Sequence, residues 1–307
     1  MDYSLPRAQR IAALGYDYGA EPKTAAKNCN LCGDDAFVQI THSDRYGYAA
    51  MATTCRRCGL TQLNPRPVAE SYAHFYQSVY RPLVSAFHGR LIDAKTIQQE
   101  QAEYAVRLAT LAAPFICRAA RRNMLDVGGS TGIVASQFAK SFGLDALVID
   151  PAPAEADVAR KLGIRTQVGF IEQWETQERF DVIGMFQTVD HLLDVAETLR
   201  RLRQVIATGG IFIVDIVDFR AAYLRNWSVE QAIKIDHPYY LTQETMEAYL
   251  RVSGFRVLCT DYAPDHLHIA YVCEPADPIA VELLNLSHGE AQLREIRYVQ
   301  NRPRSPG

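Results

Sequence analysis

The sequence predicts an α/β protein, with a seven-stranded and mostly parallel sheet ending in an antiparallel hairpin, preceded by helices and a small cysteine module. Three observations predict it. Strands and helices alternate from Met124 onward, the pattern of a parallel sheet covered by helices. The last two apolar strands are joined by the tight link Ala263-Pro264-Asp265, which makes them a hairpin. Four of the seven cysteines, Cys29, Cys32, Cys55 and Cys58, fall in two close pairs near the start.

A chain of 307 residues suits one large domain plus a small one. The formal net charge of -3 provides no broad basic field, which counts against a nucleic-acid partner or an anionic membrane. No segment approaches the ~20 apolar residues of a membrane span, and Met1 to Arg10 lacks the apolar core of a signal peptide. Both point to the cytoplasm, where disulfides are rare. Cys259 and Cys273 sit in apolar strand-like runs and read as buried core thiols; Cys117 stands apart.

Taken in order, residues 1–20 read as an arm and residues 21–67 as the cysteine module, closed by Asn64-Pro65-Arg66-Pro67. Residues 68–120 read as helices with Tyr72, Phe75, Tyr76, Val79 and Tyr80 on one face, punctuated by Pro82 and Pro114. Residues 121–275 form the sheet domain. Its expected strands are Met124–Val127, Leu147–Asp150, Ile164–Val168, Asp181–Phe186, Ile211–Val217, Phe255–Tyr262 and Leu267–Cys273. A helix from Val195 is expected to stop at Gly209-Gly210, and another to start at the Thr242 cap. Residues 276–307 read as a polar helix from Asp277 to Val299 and a frayed tail.

Cys29-Asn30-Leu31-Cys32-Gly33 and Cys55-Arg56-Arg57-Cys58-Gly59 are two copies of one device. Two cysteines separated by two residues fold around one metal ion. The glycine that comes next permits the turn, and its amide can point at sulfur. With 22 residues between them, the pairs suit a two-strand ribbon closing a zinc site of four thiolates. Such a set leaves no open coordination position, so the zinc is structural.

Leu125-Asp126-Val127-Gly128-Gly129-Ser130-Thr131-Gly132 places a glycine-rich turn between a strand and a helix, where a nucleotide cofactor can approach backbone amides. Asp150 ends the next strand, where a carboxylate can accept the hydroxyls of a ribose. A nicotinamide enzyme would show both features. The turn is not GxGxxG, however, and its strand ends in an acid.

From about Arg121 to Cys273 the chain resembles the class I S-adenosylmethionine-dependent methyltransferases, with their Rossmann-like seven-stranded sheet. The resemblance rests on LDVGGSTG, LVID, RFDVIGMFQTVDHLLD, LRRLRQVIATGGIFIVD and YLTQETMEAYLRVSGF. It implies that Asp126, Gly128, Gly129, Ser130 and Gly132 surround the methionine part of S-adenosylmethionine. Asp150 would then hold the ribose, Phe170 and Ile171 flank the adenine, and Gln187 lie near the sulfonium. Ser130 departs from the family's glycine, so its hydroxymethyl group either bonds the cofactor or narrows the pocket. CNLCG, CRRCGLTQLNPRP and HFYQSVYR further resemble the zinc-bearing methyltransferases of sugar and surface-polysaccharide biosynthesis.

That resemblance implies a small-molecule or glycan acceptor, including a nucleotide-linked sugar. The family's carbon-methylating members carry a further domain, so oxygen is the expected target. For a hydroxyl, the protein must align the acceptor and remove a proton. His237, on an insertion after the fifth parallel strand, is the first candidate base, and His191, in Val-Asp-His-Leu, the second. Tyr223, Trp227, Tyr239 and Tyr240 supply rings for a sugar to stack on, and Arg118, Arg121 and Arg122 could meet phosphates. An RNA methyltransferase, a sugar C-methyltransferase and a non-catalytic cofactor-binding protein stay open as alternatives.

Overall fold

The computed structural model describes residues 1–116 and 123–302. Cys117 and the Arg118, Arg121, Arg122 group lie outside the described residues.

The N-terminal part comprises helix α1 (Arg7–Ala12) and strands β1 (Lys23–Thr24), β2 (Phe37–Thr41), β3 (Ala52–Cys55), β4 (Thr61–Leu63) and β5 (Arg66–Pro67). Helix α2 (Ala69–His74) runs through a wider π-helical turn (Phe75–Val79) into α3 (Tyr80–His88), and α4 (Ala94–Ile116) comes after it. Pro82 and Pro114 do not break the chain but lie inside α3 and α4. Pro82 is tolerated because the carbonyl four residues back, on Ser78, belongs to the π turn, where the regular ladder is already interrupted.

Next come β6 (Asn123–Val127), α5 (Ile133–Phe142), β7 (Asp145–Asp150), α6 (Pro153–Lys161), β8 (Arg165–Val168), β9 (Phe180–Met185), α7 (Val195–Val205) and β10 (Ile206–Val217). Helix α8 (Phe219–Asn226), β11 (Tyr239–Tyr240), α9 (Gln243–Val252), β12 (Phe255–Tyr262), β13 (His268–Pro275) and α10 (Gly289–Gln300) complete the chain. The seven-stranded sheet has the order β12-β13-β10-β9-β6-β7-β8. Its central strands are parallel, and β13 runs antiparallel between β10 and β12, as expected.

Successive residues of the central strands serve opposite faces, as the two-residue pleat requires. Met124, Val182 and Ile213 pack with Leu108, Ala112 and Phe138 of α4 and α5. Leu125, Ile183 and Val214 pack with Leu199 of α7, Leu250 of α9 and the four module cysteines. Fully burying each such side chain is worth about 1.5–3 kcal/mol. The module therefore shares a core with the sheet.

Two local expectations are corrected. Gly209-Gly210 does not end α7, which stops at Val205; the pair lies in β10, where pairing with β9 shifts register between Ile206 and Ile211. A Cβ on Gly210 would stand 2.8 Å from the Ala207 carbonyl oxygen, so the glycine permits a bulge. The helix expected from Asp277 begins only at Gly289. The preceding segment is a strap with one 3₁₀ turn (Val281–Leu283), held where Ala276 and Ile279 donate to the Gly254 and Arg251 carbonyls and where Leu284 and Leu286 are buried. No helix among the described residues is long and apolar enough to cross a membrane.

Candidate active site

A cleft opens at the carboxyl ends of β6, β7 and β9, where strand order reverses about β6, the usual ligand position of an open α/β sheet. Its floor is the turn after β6. Gly128 has φ +69°, and a Cβ there would stand 2.5 Å from the Thr188 side chain, on the loop after β9. Only glycine lets the two loops meet this closely. Gly132 (φ +72°) begins α5 against Ala159 of α6.

Gly128, Ser130, Asp150, Phe170, Ile171 and Gln187, all expected at the cofactor, line this one cleft. Asp126, Gly129 and Gly132 stand behind its wall. Asp126 is completely buried beneath the turn, both carboxylate oxygens lacking a hydrogen bond. Burial, then the charge of Asp150, pushes its carboxyl well above the usual range. Asp126 lies beneath the turn, so close that a Cβ on Gly129 would stand 2.7 Å from its Oδ2, and is not among the residues that line the cleft.

Asp150 accepts the Ser130 amide at 2.8 Å on one oxygen and the Ala152 amide at 2.8 Å on the other. Burial and the nearby Glu155 raise its carboxyl to about 6, against the pull of those amides. Ser130 adopts a left-handed φ of 50°, which costs a non-glycine residue about 1–2 kcal/mol. Its hydroxyl donates to Glu155, which also binds Arg81 of α3. The hydroxymethyl group therefore joins a Ser130–Glu155–Arg81 chain on the cleft wall. A glycine turn that admits no side chain at Gly128, beside a carboxylate with unused lone pairs, fits a ribose-bearing cofactor.

Gln187 is also left-handed (φ 50°); its amide donates to Asp215 at 2.6 Å, and the Tyr104 hydroxyl donates to the other Asp215 oxygen at 2.5 Å. Beyond Gln187 the wall is Tyr76, Tyr80 and His191. His191 Nδ1 lies 3.0 Å from the Asp236 carbonyl and 2.6 Å from the Tyr76 hydroxyl. The Tyr76 hydroxyl also donates to the Asp236 carbonyl at 3.0 Å; with its proton turned there, the tautomer that donates from Nδ1 leaves the Nε2 lone pair free. Burial and the facing His237 hold the imidazole down to about 4.

Of the two histidines expected as candidate bases, His191 lines the cleft and His237 does not. His237 is 5% exposed and off the cleft wall. Its Nδ1 lies 2.8 Å from Asp190 Oδ2, and Lys234 Nζ stands 3.1 Å from its Nε2. Burial would raise the Asp190 carboxyl, yet His237 holds it well below the usual range. Asp190, His191 and His237 offer ligand atoms within 4.8 Å of one another. Within this group Asp190 and His237 are in direct contact, with the Lys234 ammonium on the far nitrogen of His237. Tyr223, Tyr239 and Tyr240 are buried, and Trp227 is half exposed under Arg302; none lines the cleft. Sequence reasoning gave no role to Tyr76, Arg81 or Glu155, although HFYQSVYR holds the first two.

The four module cysteines are buried with ligand atoms within 4.8 Å of one another, at Sγ–Sγ distances of 3.5 Å (Cys29–Cys58) and 3.6 Å (Cys32–Cys55). Zinc–sulfur bonds of ≈ 2.3 Å in a tetrahedron separate sulfurs by roughly 3.8 Å, so the set fits one zinc. Gly33 and Gly59 are left-handed, as expected. Their amides bond the Cys29 and Cys55 carbonyls, and the Leu60 amide is the one that points at sulfur, on Cys58.

A family model described as a methyltransferase domain matches residues 72–260. The chain belongs to this methyltransferase-domain family. The ubiquinone biosynthesis O-methyltransferase of Azorhizobium caulinodans is 28% identical over 151 residues, 44% of this chain and 58% of that protein. Its counterpart from Bradyrhizobium sp. (strain ORS 278) is 27% identical over 110 residues, 34% of this chain and 41% of that protein. The chain thus spans about two fifths to three fifths of these relatives. An O-methyltransferase family protein from Burkholderia thailandensis shares the fold at a TM-score of 0.51, with 14% identity over 66% of this chain and 64% of that one. The matched methyltransferase-domain region takes in strands β6 to β10 and most of β12, the cleft, Tyr76 and both histidines; it starts after the cysteine module and ends before β13.

Proposed function

We propose that this protein transfers a methyl group from S-adenosylmethionine to a hydroxyl of a sugar or glycan precursor. The observation that carries the reading is His191, engaged through Nδ1 by Tyr76 and Asp236, on the wall of the cleft that also holds Gly128 and Asp150. When bound, S-adenosylmethionine supplies an electrophilic methyl group. Asp150 would accept the ribose hydroxyls, Phe170 and Ile171 would flank the adenine, and Gln187 would border the methionine end. His191 takes the acceptor's proton on Nε2, while Tyr76 and the Asp236 carbonyl keep its Nδ1 proton in place. Tyr76 and Tyr80 help to exclude water.

Oxygen as the target is supported by the O-methyltransferase relatives. A hydroxylated acceptor is supported by a second cleft that shares Arg81, Gln101 and Gln187 with the first. Its arginines (Arg81, Arg90, Arg107) are balanced by Glu100, Glu103 and Asp265, so it favours a polar acceptor of little net charge over an apolar tail. One structural zinc in the cysteine module completes the reading.

The test is transfer of labelled methyl from S-adenosylmethionine to a panel of sugars, nucleotide sugars and glycans. Wild type should label a hydroxylated acceptor, and His191→Ala should cut turnover about 10²–10⁴-fold with cofactor affinity unchanged. Labelling confined to RNA, or full turnover in His191→Ala, would refute it.

A further inference from the structure

The cysteine module touches the cleft nowhere near its sulfurs, yet it grips both segments that bear the histidines. Asn30 lies between the zinc ligands Cys29 and Cys32, so its backbone is fixed by the knuckle. Its side-chain amide donates to Asp194 at 2.8 Å, and its oxygen accepts from the Ala196 amide at 3.1 Å and the Tyr249 hydroxyl at 2.8 Å. Asp194 caps α7, three residues beyond His191. Arg66 donates to the Leu193 carbonyl at 2.8 Å and to the Tyr239 hydroxyl at 2.6 Å.

The His237 segment is held as firmly. Arg45 donates its amide to the Ile233 carbonyl, Asp44 accepts the Ile235 amide at 3.0 Å, and Leu63 donates to the Pro238 carbonyl. Strand β11, two residues after His237, pairs with β4 as a fourth strand of the module's own sheet. A zinc that only stapled its own segment would need none of these contacts.

We propose that the cysteine module is the positioning element for the catalytic loop, with Asn30 and Arg66 as positioning residues that hold His191 against Tyr76 and Asp236. The module's polar contacts then govern proton removal, because they reach the segments that bear His191 and His237. The catalytic part of this proposal rests on His191 being the base; the mechanical part does not.

The experiment combines amide hydrogen exchange, zinc analysis, calorimetry and turnover on the full chain and its Asn30→Ala, Arg66→Ala and Arg66→Lys variants. We expect Asn30→Ala and Arg66→Ala to keep one zinc and wild-type S-adenosylmethionine affinity. Exchange at Leu193 and Ala196 should rise at least tenfold and turnover fall at least tenfold. Arg66→Lys, which can still reach one of the two oxygens, should recover part of both. Stripping zinc with a chelator should speed exchange in 189–196 and 233–240 before β6 and β7. Unchanged exchange at Leu193 and Ala196 in both alanine variants overturns the proposal, as does simultaneous loss of cofactor binding and β6 protection on chelation. If exchange rises as expected but wild type and variants turn over equally, the coupling holds and the assignment of His191 as base fails.

Discussion

At the scale of single residues, the cleft is governed by two groups with displaced proton affinities. His191 is held down to about 4 by burial and by His237, so it stays unprotonated far below an ordinary imidazole's ~6.5. Asp150, raised to about 6, gains its proton first as pH falls. If Asp150 holds the ribose as proposed, its protonation removes charge-assisted bonds there, so S-adenosylmethionine affinity should weaken as pH drops through about 6. At saturating cofactor, turnover should persist until the pH nears about 4. Calorimetry and initial rates across this range check both limbs; a turnover limb near 6.5 would mean that another histidine is the base. Asp150→Ala should weaken cofactor binding more than about tenfold, since a hydrogen bond to a charged group is worth about 1.5–3 kcal/mol. The sequence made Asp150 legible because its position at a strand end is set by local spacing. It could not order His191 and His237, because Tyr76, Asp236, Asp190 and Lys234 decide their roles, and Tyr76 lies 115 positions from His191.

At the scale of elements, the π turn between α2 and α3 sets which side chains meet the cleft. Its extra residue rotates the rest of the helix by about 100° relative to a continuous α-helix. Tyr76 lies within it and Arg81 just beyond, so both the His191 contact and the Glu155 contact depend on it. Ser78 is exposed there. Deleting Ser78 should restore regular helix and turn Arg81 away from Glu155. Turnover should fall at least tenfold, and the melting temperature should drop as well, because Pro82 would then meet an uninterrupted helical ladder; a variant with unaltered kinetics would remove any role of the π turn in the cleft. Hydrophobic periodicity placed the apolar face of this helix correctly but could not show a π turn, which costs one residue and leaves no compositional mark. Gly209-Gly210 and the strap after Asp277 misled for a similar reason. A glycine pair serves a helix end and a β-bulge alike, and a strap is defined by what it is tied to.

At the scale of the whole molecule, the cysteine module is clasped from both sides. Its cysteines share a core with the sheet and α9. Helix α10 lies so close that a Cβ on Gly289 would come within 2.1 Å of the Arg56 carbonyl oxygen, and Glu290 pairs with Arg56. A structural zinc contributes apparent binding free energies of about 10–16 kcal/mol in small domains, comparable with the stability of a whole domain. Wild-type protein should therefore contain one zinc per chain. Cys55→Ser should lose it, with a melting temperature lowered by well over 10 °C or outright insolubility. Metal analysis and calorimetric melting check this; a metal-free wild type of full stability would contradict it. The paired CxxC spacing made the cluster of four cysteines legible. That the ribbon is completed by β11 was not, because the strand is two residues long and lies on the insertion.

That borrowed strand also dictates an order of events while the chain is being made. Arg66 meets its partner Tyr239 only 173 positions later; at a synthesis rate of about 5–20 residues per second, the module waits roughly 9–35 s for its last strand. During that interval the edge of β4 is an open template, with buried Thr61 and Gln62 still exposed to whatever strand comes near. Nascent chains arrested before β11 emerges should therefore associate with one another or with holdase chaperones, whereas chains arrested after it should not.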